Sequence, residues 1–227
     1  MARNISLKKR IVSESDRVAA GLAARFDEAR CLVVNIMSSP GAGKTTLLEE
    51  TARRLAGELR IAAIEGDLAT DRDARRIQKA GMPCHQINTG GGCHLSAVQI
   101  QDALAHVDPV GLDVLFIENV GNLVCPASFD LGEHRRVVVS SVPEGDDKPV
   151  KYPVAFHNAD CAVLNKIDLI GMTDFSLEQF RGFVRELKAE IPLLELSCRT
   201  GQGVDAWLDW VRAQRQAVLR GEGRSPK

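Results

Sequence analysis

This chain carries almost no net charge: 29 Lys and Arg against 30 Asp and Glu leave −1 over 227 residues. So even a balance gives no general attraction to the phosphate backbone of nucleic acid. No apolar run approaches the ~20 residues needed to cross a bilayer. The opening Met1-Ala2-Arg3-Asn4-Ile5-Ser6 lacks the apolar stretch of a secretory signal. The expectation is a cytoplasmic protein that binds neither membrane nor nucleic acid. Six cysteines are too few for a disulfide scaffold at this length. In a reducing compartment they are thiols, available as metal ligands or as core residues. No internal repeat and no interdomain linker break the chain. Its length and its 44% hydrophobic content suit one domain with a sizeable core.

Hydrophobic periodicity then gives the elements. Residues 11–30 read as an amphipathic helix, with Ile11, Val18, Leu22 and Phe26 on one face. Residues 1–10 are polar and basic and read as a frayed end. Beyond residue 30, strands and helices alternate. Strands are expected at 31–37, 60–65, 85–87, 114–118, 137–142 and 159–164. Helices are expected from Lys44, at 71–80, 95–106, 176–189 and 204–219. The fold class is therefore α/β, a mostly parallel sheet with helices on both faces. Residues 1–30 read as a helical extension of the same domain, 31–220 as the domain proper, and 221–227 as a flexible tail. Ligands belong at the carboxyl ends of the strands in such a fold.

The first of those ends is the most specific. Cys31-Leu32-Val33-Val34-Asn35-Ile36-Met37 runs into Ser38-Ser39-Pro40-Gly41-Ala42-Gly43-Lys44-Thr45-Thr46 and then into a helix. A strand, a glycine-rich turn and a helix start form a phosphate-binding loop, as in P-loop NTPases. Backbone N–H groups from Gly41, Ala42, Gly43 and Thr46 surround the phosphates, and the helix N-terminus adds positive potential. Lys44 reaches the β- and γ-phosphates, and Thr45 offers a hydroxyl to Mg²⁺. The usual pattern opens on Gly, and here that position is Ser38.

A second strand end selects the base. Ala159–Leu164 leads into Asn165-Lys166-Ile167-Asp168, about 120 residues after the phosphate loop. The Asp168 carboxylate can accept both N1–H and the 2-amino group of guanine. Adenine has no such donor pair and would leave the carboxylate unpaired. Asn165 braces the loop and the Lys166 stem lies over the base. Further on, Ser197-Cys198-Arg199-Thr200-Gly201 resembles the loop whose backbone meets guanine O6, which makes Cys198 a candidate contact.

Two more strand ends are acidic. Glu65-Gly66-Asp67 precedes Thr70-Asp71-Arg72-Asp73, and Glu118-Asn119-Val120-Gly121 stands where small GTPases have Asp-x-x-Gly. Glu118 is expected to act on Mg²⁺, directly or through a water. Asp67 is a candidate to orient or deprotonate the attacking water, or to join the Mg²⁺ shell. The plainer alternative, for Thr70 and Asp71 above all, is helix capping.

A different donor chemistry lies at Asn88-Thr89-Gly90-Gly91-Gly92-Cys93-His94 and at Cys125, on loops the topology brings to one edge. Two thiolates and an imidazole suit Zn²⁺, Ni²⁺ or Cu⁺ and do not suit Mg²⁺ or Ca²⁺. Three donors leave a tetrahedral site incomplete, so water or a second protomer must supply the fourth. On spacing alone, Cys93 as a core thiol remains the alternative. Cys31 and Cys161 lie in apolar strands and read as core; Cys84 is open.

These stretches together resemble the HypB family, SIMIBI-class P-loop GTPases that insert nickel during nickel–iron hydrogenase maturation. The resemblance is carried by Ser38–Leu48, Glu65-Gly66-Asp67, Gln86–Gly90, Cys93-His94-Leu95, Glu118-Asn119-Val120-Gly121-Asn122-Leu123-Val124-Cys125-Pro126, Pro143–Pro149 and Asn165–Asp168, and spans roughly residues 10–215. It implies a GTP-dependent homodimer with Cys93, His94 and Cys125 holding Ni²⁺ or Zn²⁺ at the dimer interface. It also implies a HypA-type nickel-binding accessory protein and the hydrogenase large subunit as partners. Some family members store nickel on an N-terminal cysteine motif or histidine-rich run. Here no cysteine precedes Cys31 and no histidine precedes His85, so the GTPase-domain site is expected to serve alone. The competing readings are nickel insertion into another enzyme such as urease, a small-molecule kinase, and a structural zinc protein with a vestigial nucleotide site.

Overall fold

The computed structural model describes residues 2–67 and 70–224, with side chains from residue 14 onward. Seven strands form one all-parallel sheet: β1 (Leu32–Ser38), β2 (Ile61–Asp67), β3 (Cys84–Asn88), β4 (Val114–Glu118), β5 (Arg135–Ser141), β6 (Cys161–Asn165) and β7 (Leu193–Glu195). Their order is β3-β2-β4-β1-β5-β6-β7. Every residue of β1, β4, β5 and β6 is buried. A parallel sheet needs long crossovers, which cover both faces, so the middles of its central strands are apolar on both sides and do not alternate, with polar residues at the strand ends.

The two faces divide the core. Leu32, Val34, Ile36, Ala63, Phe116, Val137 and Val163 point to one side. There they meet α2 (Lys44–Leu55), α3 (Arg72–Lys79) and α8 (Val204–Leu219). Trp207 of α8 is fully buried, and its indole N–H donates to Thr51 of α2 at 2.8 Å, satisfying the one polar atom of that ring. On the other side Val33, Ala62, Ile64, Leu115 and Ile117 pack on α1 (Ala2–Glu28) and α4 (Ala97–Ala103). Met37, Val138, Ala162 and Leu164 pack there on α6 (Pro153–His157) and α7 (Leu177–Leu187). The short α5 (Lys148–Lys151) lies before α6.

Four differences from the sequence reading have physical causes. Helix α1 starts at Ala2, where a frayed end was expected; adding a turn to an existing helix is cheap, and Leu, Lys and Arg are good helix formers. Helix α4 is shorter than the expected 95–106. Ser96 and Gln99 form a reciprocal capping box that starts it at Ala97. The helices α5 and α6 were not anticipated; each carries a proline, Pro149 and Pro153. Both stand in a first helical turn, where proline's missing N–H is no loss. Residues 221–224 are docked: Arg224 donates to Asp27, to Ala23 O and to Gly132 O. Residues 225–227 of the expected tail lie outside the described residues.

The connections set the site. From β1 the chain crosses to β2 on one side, and from β4 it passes over β1 to β5 on the other. The crossovers diverge above β1, which opens a crevice at its carboxyl end.

Candidate functional site

A cleft of about 400 Å³ fills that crevice, lined by the phosphate loop, by Glu65 to Asp67, by Asp73 and Arg76, and by Glu118 to Gly121. Gly41 and Gly43 have φ of 79° and 103°, left-handed values that turn the loop back onto the helix axis. Gly43 caps α2, so the unpaired N–H groups of its first turn face the cleft. Ser38, the departure from the usual glycine, ends β1 in an ordinary strand conformation that tolerates a side chain. Its hydroxyl accepts from the buried Lys44 ammonium at 3.0 Å. Arg76 donates to Thr46 Oγ1 at 3.1 Å and pairs with Glu49 and Asp73.

The acidic side of the cleft is under electrostatic load. Thr45 Oγ1 donates to Glu118 Oε1 at 2.8 Å, and the Lys44 ammonium is 4.0 Å from that oxygen. Glu118 Oε2 and Glu65 Oε2 are buried without a hydrogen-bond partner among the described residues. Glu65 faces Glu118 across the β2–β4 ladder. Burial pushes Glu118 up to about 6, against the pull of Lys44 and Thr45. Burial, then the charges of Glu118, Asp67 and Asp73, push Glu65 up to about 8. A buried hydroxyl and carboxylates with open lone pairs fit a hard divalent cation such as Mg²⁺. Asp67 lines the same cleft, where its Oδ2 accepts from Thr70 Oγ1 at 2.9 Å. Asp71 stands at the N-cap of α3 without capping it through its side chain; its carboxylate takes Arg75 instead. Glu65, Asp73 and Arg76 were not singled out from the sequence. Asp73 and Arg76, three apart on a helix that follows a loaded strand end, carried a readable signal.

The Asn165–Asp168 loop is locked to the phosphate loop. Asn165 Nδ2 donates to Ala42 O at 2.9 Å, and Asn165 Oδ1 accepts from Lys166 N at 2.7 Å and Cys198 N at 3.2 Å. A Cβ on Gly43 would run into the Asn165 amide, which is held by Ala42 O, and φ 103° strains any other side chain, so glycine is required. Lys166 adopts φ 61° and its ammonium donates to Gly41 O at 2.6 Å. Ser197 Oγ donates to Asp168 Oδ1 at 2.6 Å, which orients that carboxylate. Cys198 contributes through its backbone; its thiol is buried in the core and pushed up to about 12 by burial.

Cys93, His94 and Cys125 come together as the sequence reading required, with donor atoms all within 4.8 Å of one another. Cys93 is exposed, with Sγ 3.5 Å from His94 Nδ1. Burial lowers the His94 pKa, which favours the neutral imidazole, the form that can donate a lone pair. Cys31, Cys84 and Cys161 stand apart: Cys31 and Cys161 are buried, Cys84 packs on the core, and burial raises all three thiols. Among the described residues no other three His, Cys, Asp or Glu donors gather as closely.

One loop joins the two chemistries. It begins at Glu118 on Thr45. Asn119 Oδ1 accepts from Leu95 N at 3.1 Å, beside His94, while its amide donates to Asn35 of β1 at 3.2 Å. A Cβ on Gly121 would lie 3.0 Å from Pro40 of the phosphate loop. Asn122 Nδ2 donates to Cys93 O at 3.2 Å, and the loop ends at Cys125 of the three-donor cluster.

Comparison with known proteins agrees with this geometry. The model of the CobW/HypB/UreG nucleotide-binding domain family matches residues 32–195. The hydrogenase maturation factor HypB of Azotobacter vinelandii is 47% identical over 219 residues, covering 96% of this chain and 72% of that protein. A crystal structure of HypB from Helicobacter pylori in complex with nickel superposes with a TM-score of 0.86 at 38% identity, covering 94% of this chain and 99% of that one. HypB from Archaeoglobus fulgidus superposes with a TM-score of 0.84 at 37% identity, covering 89% and 99%.

Proposed function

This chain belongs to the CobW/HypB/UreG family, among the HypB hydrogenase maturation factors, and on that basis we propose that it hydrolyses GTP and delivers Ni²⁺ during assembly of nickel–iron hydrogenase. The observation that carries the reading is the single loop Glu118–Cys125, which touches the phosphate-site hydroxyl of Thr45 at one end and supplies a soft metal ligand at the other.

The residues take the following parts. N–H groups of the phosphate loop and the first turn of α2 hold the β- and γ-phosphates, and Lys44 leaves Ser38 to meet their charge. Thr45 and Glu118 hold Mg²⁺, which when bound neutralises charge on the phosphate oxygens. Asp67 orients the water that attacks the γ-phosphorus. Asp168 reads guanine, Asn165 and Lys166 shape its slot, and the backbone at Cys198 closes it. Without an arginine supplied to the transferring phosphate, turnover alone is slow.

Cys93, His94 and Cys125 take Ni²⁺ or Zn²⁺ as cargo. Three donors and an exposed Cys93 make an open site, suited to release. A second protomer completes it in a homodimer. Cargo passes between a HypA-type accessory protein and the hydrogenase large subunit, in the cytoplasm. Residues 31–220 form the GTPase domain, with 1–30 its helical extension. Because Glu118 and Cys125 share a loop, nucleotide state and metal affinity are linked, and the linkage is reciprocal in binding free energy.

The test is a Ni²⁺ titration of wild type and Cys125→Ala with GDP and with a non-hydrolysable GTP analogue. Wild-type affinity should differ between nucleotides, and Cys125→Ala should bind at least tenfold more weakly. Affinity that survives the loss of Cys125 and ignores the nucleotide refutes metal delivery.

A further inference from the structure

The Cys93-His94-Cys125 cluster has a neighbour that donates nothing to a metal and yet contacts a ligand ring directly. Phe129 lies against His94 with ring centroids 3.9 Å apart and planes 11° from parallel. Both rings are half-buried. The lone pair of an imidazole nitrogen lies in the ring plane, so a metal bound there must lie in that plane too. Whatever fixes the plane fixes where the metal sits relative to the two sulfurs.

The backbone leaves the His94 plane undetermined. Leu95 is fully buried with its N–H tied to Asn119, and Cys93 O is tied to Asn122, so the chain on both sides of His94 is held. The side chain still has two free rotations. Its one polar contact among the described residues is the 3.5 Å approach of Nδ1 to Cys93 Sγ, which chooses the ring edge that faces the sulfur. The flat face of Phe129 supplies the remaining constraint.

Phe129 is itself rigidly mounted. It follows the 3₁₀ turn Pro126–Ser128, which begins directly after Cys125. Arg136 of β5 donates to Phe129 O at 2.9 Å and to Ala127 O at 3.2 Å, and Asn158 also donates to Ala127 O at 3.1 Å. Arg136 is ion-paired with the fully buried Glu133. The guanidinium thus bolts the turn to the sheet.

We infer that Phe129 is a positioning residue of the metal site: its ring sets the plane of the His94 imidazole and so the geometry in which all three donors meet one ion. The inference rests on the metal-site reading above. It also makes the loop after Cys125 count twice, because that loop supplies one donor and aims another. Any movement of it alters two of the three ligands together, which is the economy a releasable site needs.

The experiment compares full-length wild type, Phe129→Ala, Phe129→Leu, Phe129→Tyr and Cys125→Ala, each checked by thermal melt. Affinity for Ni²⁺ is read by chelator competition, and geometry by the thiolate charge-transfer and ligand-field bands of bound Ni²⁺ and of Co²⁺. Phe129→Ala should bind about tenfold more weakly, the usual effect of losing a residue that orients a ligand, with shifted bands. Phe129→Leu keeps the bulk without the flat face, so it should fold as wild type and still show shifted bands. Phe129→Tyr keeps the face and should restore both affinity and spectrum. If Phe129→Leu matches wild type in both while Cys125→Ala has lost binding, Phe129 is packing only and the inference falls. If Cys125→Ala binds as wild type does, the metal-site reading falls, and the inference with it.

Discussion

Gly66→Ala places one methyl group between the nucleotide and metal chemistries. A Cβ on Gly66 would stand 2.7 Å from both Cγ and Cδ2 of Leu95 and 2.9 Å from Cδ1. Carbon atoms rest about 3.5–4.0 Å apart, so Leu95 must retreat by about 1 Å. A rotamer change gives no relief, because the branch carbon and both methyls are in the way. Leu95 is fully buried against β2 and α4 and its N–H is held by Asn119, so it cannot swing into solvent. Overpacking of this kind costs about 1–3 kcal/mol. In a chain of this size each kcal/mol lowers the melting temperature by about 2–4 °C. The expected fall is therefore roughly 2–12 °C. Leu95 also drags His94, so Ni²⁺ affinity should drop several-fold, as when a supporting shell is about 1 Å out of place. Gly57→Ala is the control: nothing lies within 4 Å of its Cβ and its φ is not left-handed, so it should melt and bind as wild type. A Gly66→Ala protein with unchanged melting temperature and metal affinity would refute both the packing argument and the link from β2 to His94.

Asp168→Asn should weaken GTP binding by at least tenfold and admit xanthine nucleotides, whose 2-carbonyl can accept from the new amide; equilibrium binding of GTP and XTP checks it, and undiminished GTP affinity would remove Asp168 from the base site. Ligand-free protein should lose stability as pH rises from about 6.5 to 8. Glu65 holds its proton up to about 8 in the fold and would release it near 4.5 when unfolded, so its contribution is complete at low pH and is lost as pH climbs through 8. The window starts above the range in which buried His134, lowered to about 4, responds in the opposite sense. The loss is about 1–2 kcal/mol across that window, and Glu65→Gln should flatten the slope of melting temperature against pH; an equal slope in the variant would assign the effect elsewhere.

Much of the sheet was legible because its central strands are short, largely apolar runs that end in chemistry. Leu32–Ser38 meets a glycine loop, Val114–Glu118 a carboxylate, and Cys161–Asn165 a polar quartet. Spacing alone could not settle Cys93, His94 and Cys125, since adjacent Cys-His is no standard chelating pattern; the expected topology put them on one edge, and the resemblance to a known family chose metal binding over a core thiol. What stayed hidden depends on tertiary contact. Phe129 looks like any core aromatic until it is found flat against His94. Arg136 and Glu133 carry full charges and are nonetheless buried as a pair. Cys198 was singled out by its place in a loop, whereas the useful group there is its amide. The helices α5 and α6 carry prolines whose meaning depends on which turn they occupy.

Asn165 bears on how the molecule comes into being. Its three hydrogen bonds join residues 42, 165, 166 and 198. The phosphate loop is complete in sequence by Thr46, but the brace that shapes it is made more than a hundred residues later. During synthesis the N-terminal half therefore emerges with its nucleotide loop unsupported, and the brace closes only after β6 and the segment following β7 have joined the sheet. Such long-range closure is slow compared with helix formation. Nucleotide binding becomes possible near the end of folding, so GTP can stabilise only chains that have already assembled the whole sheet.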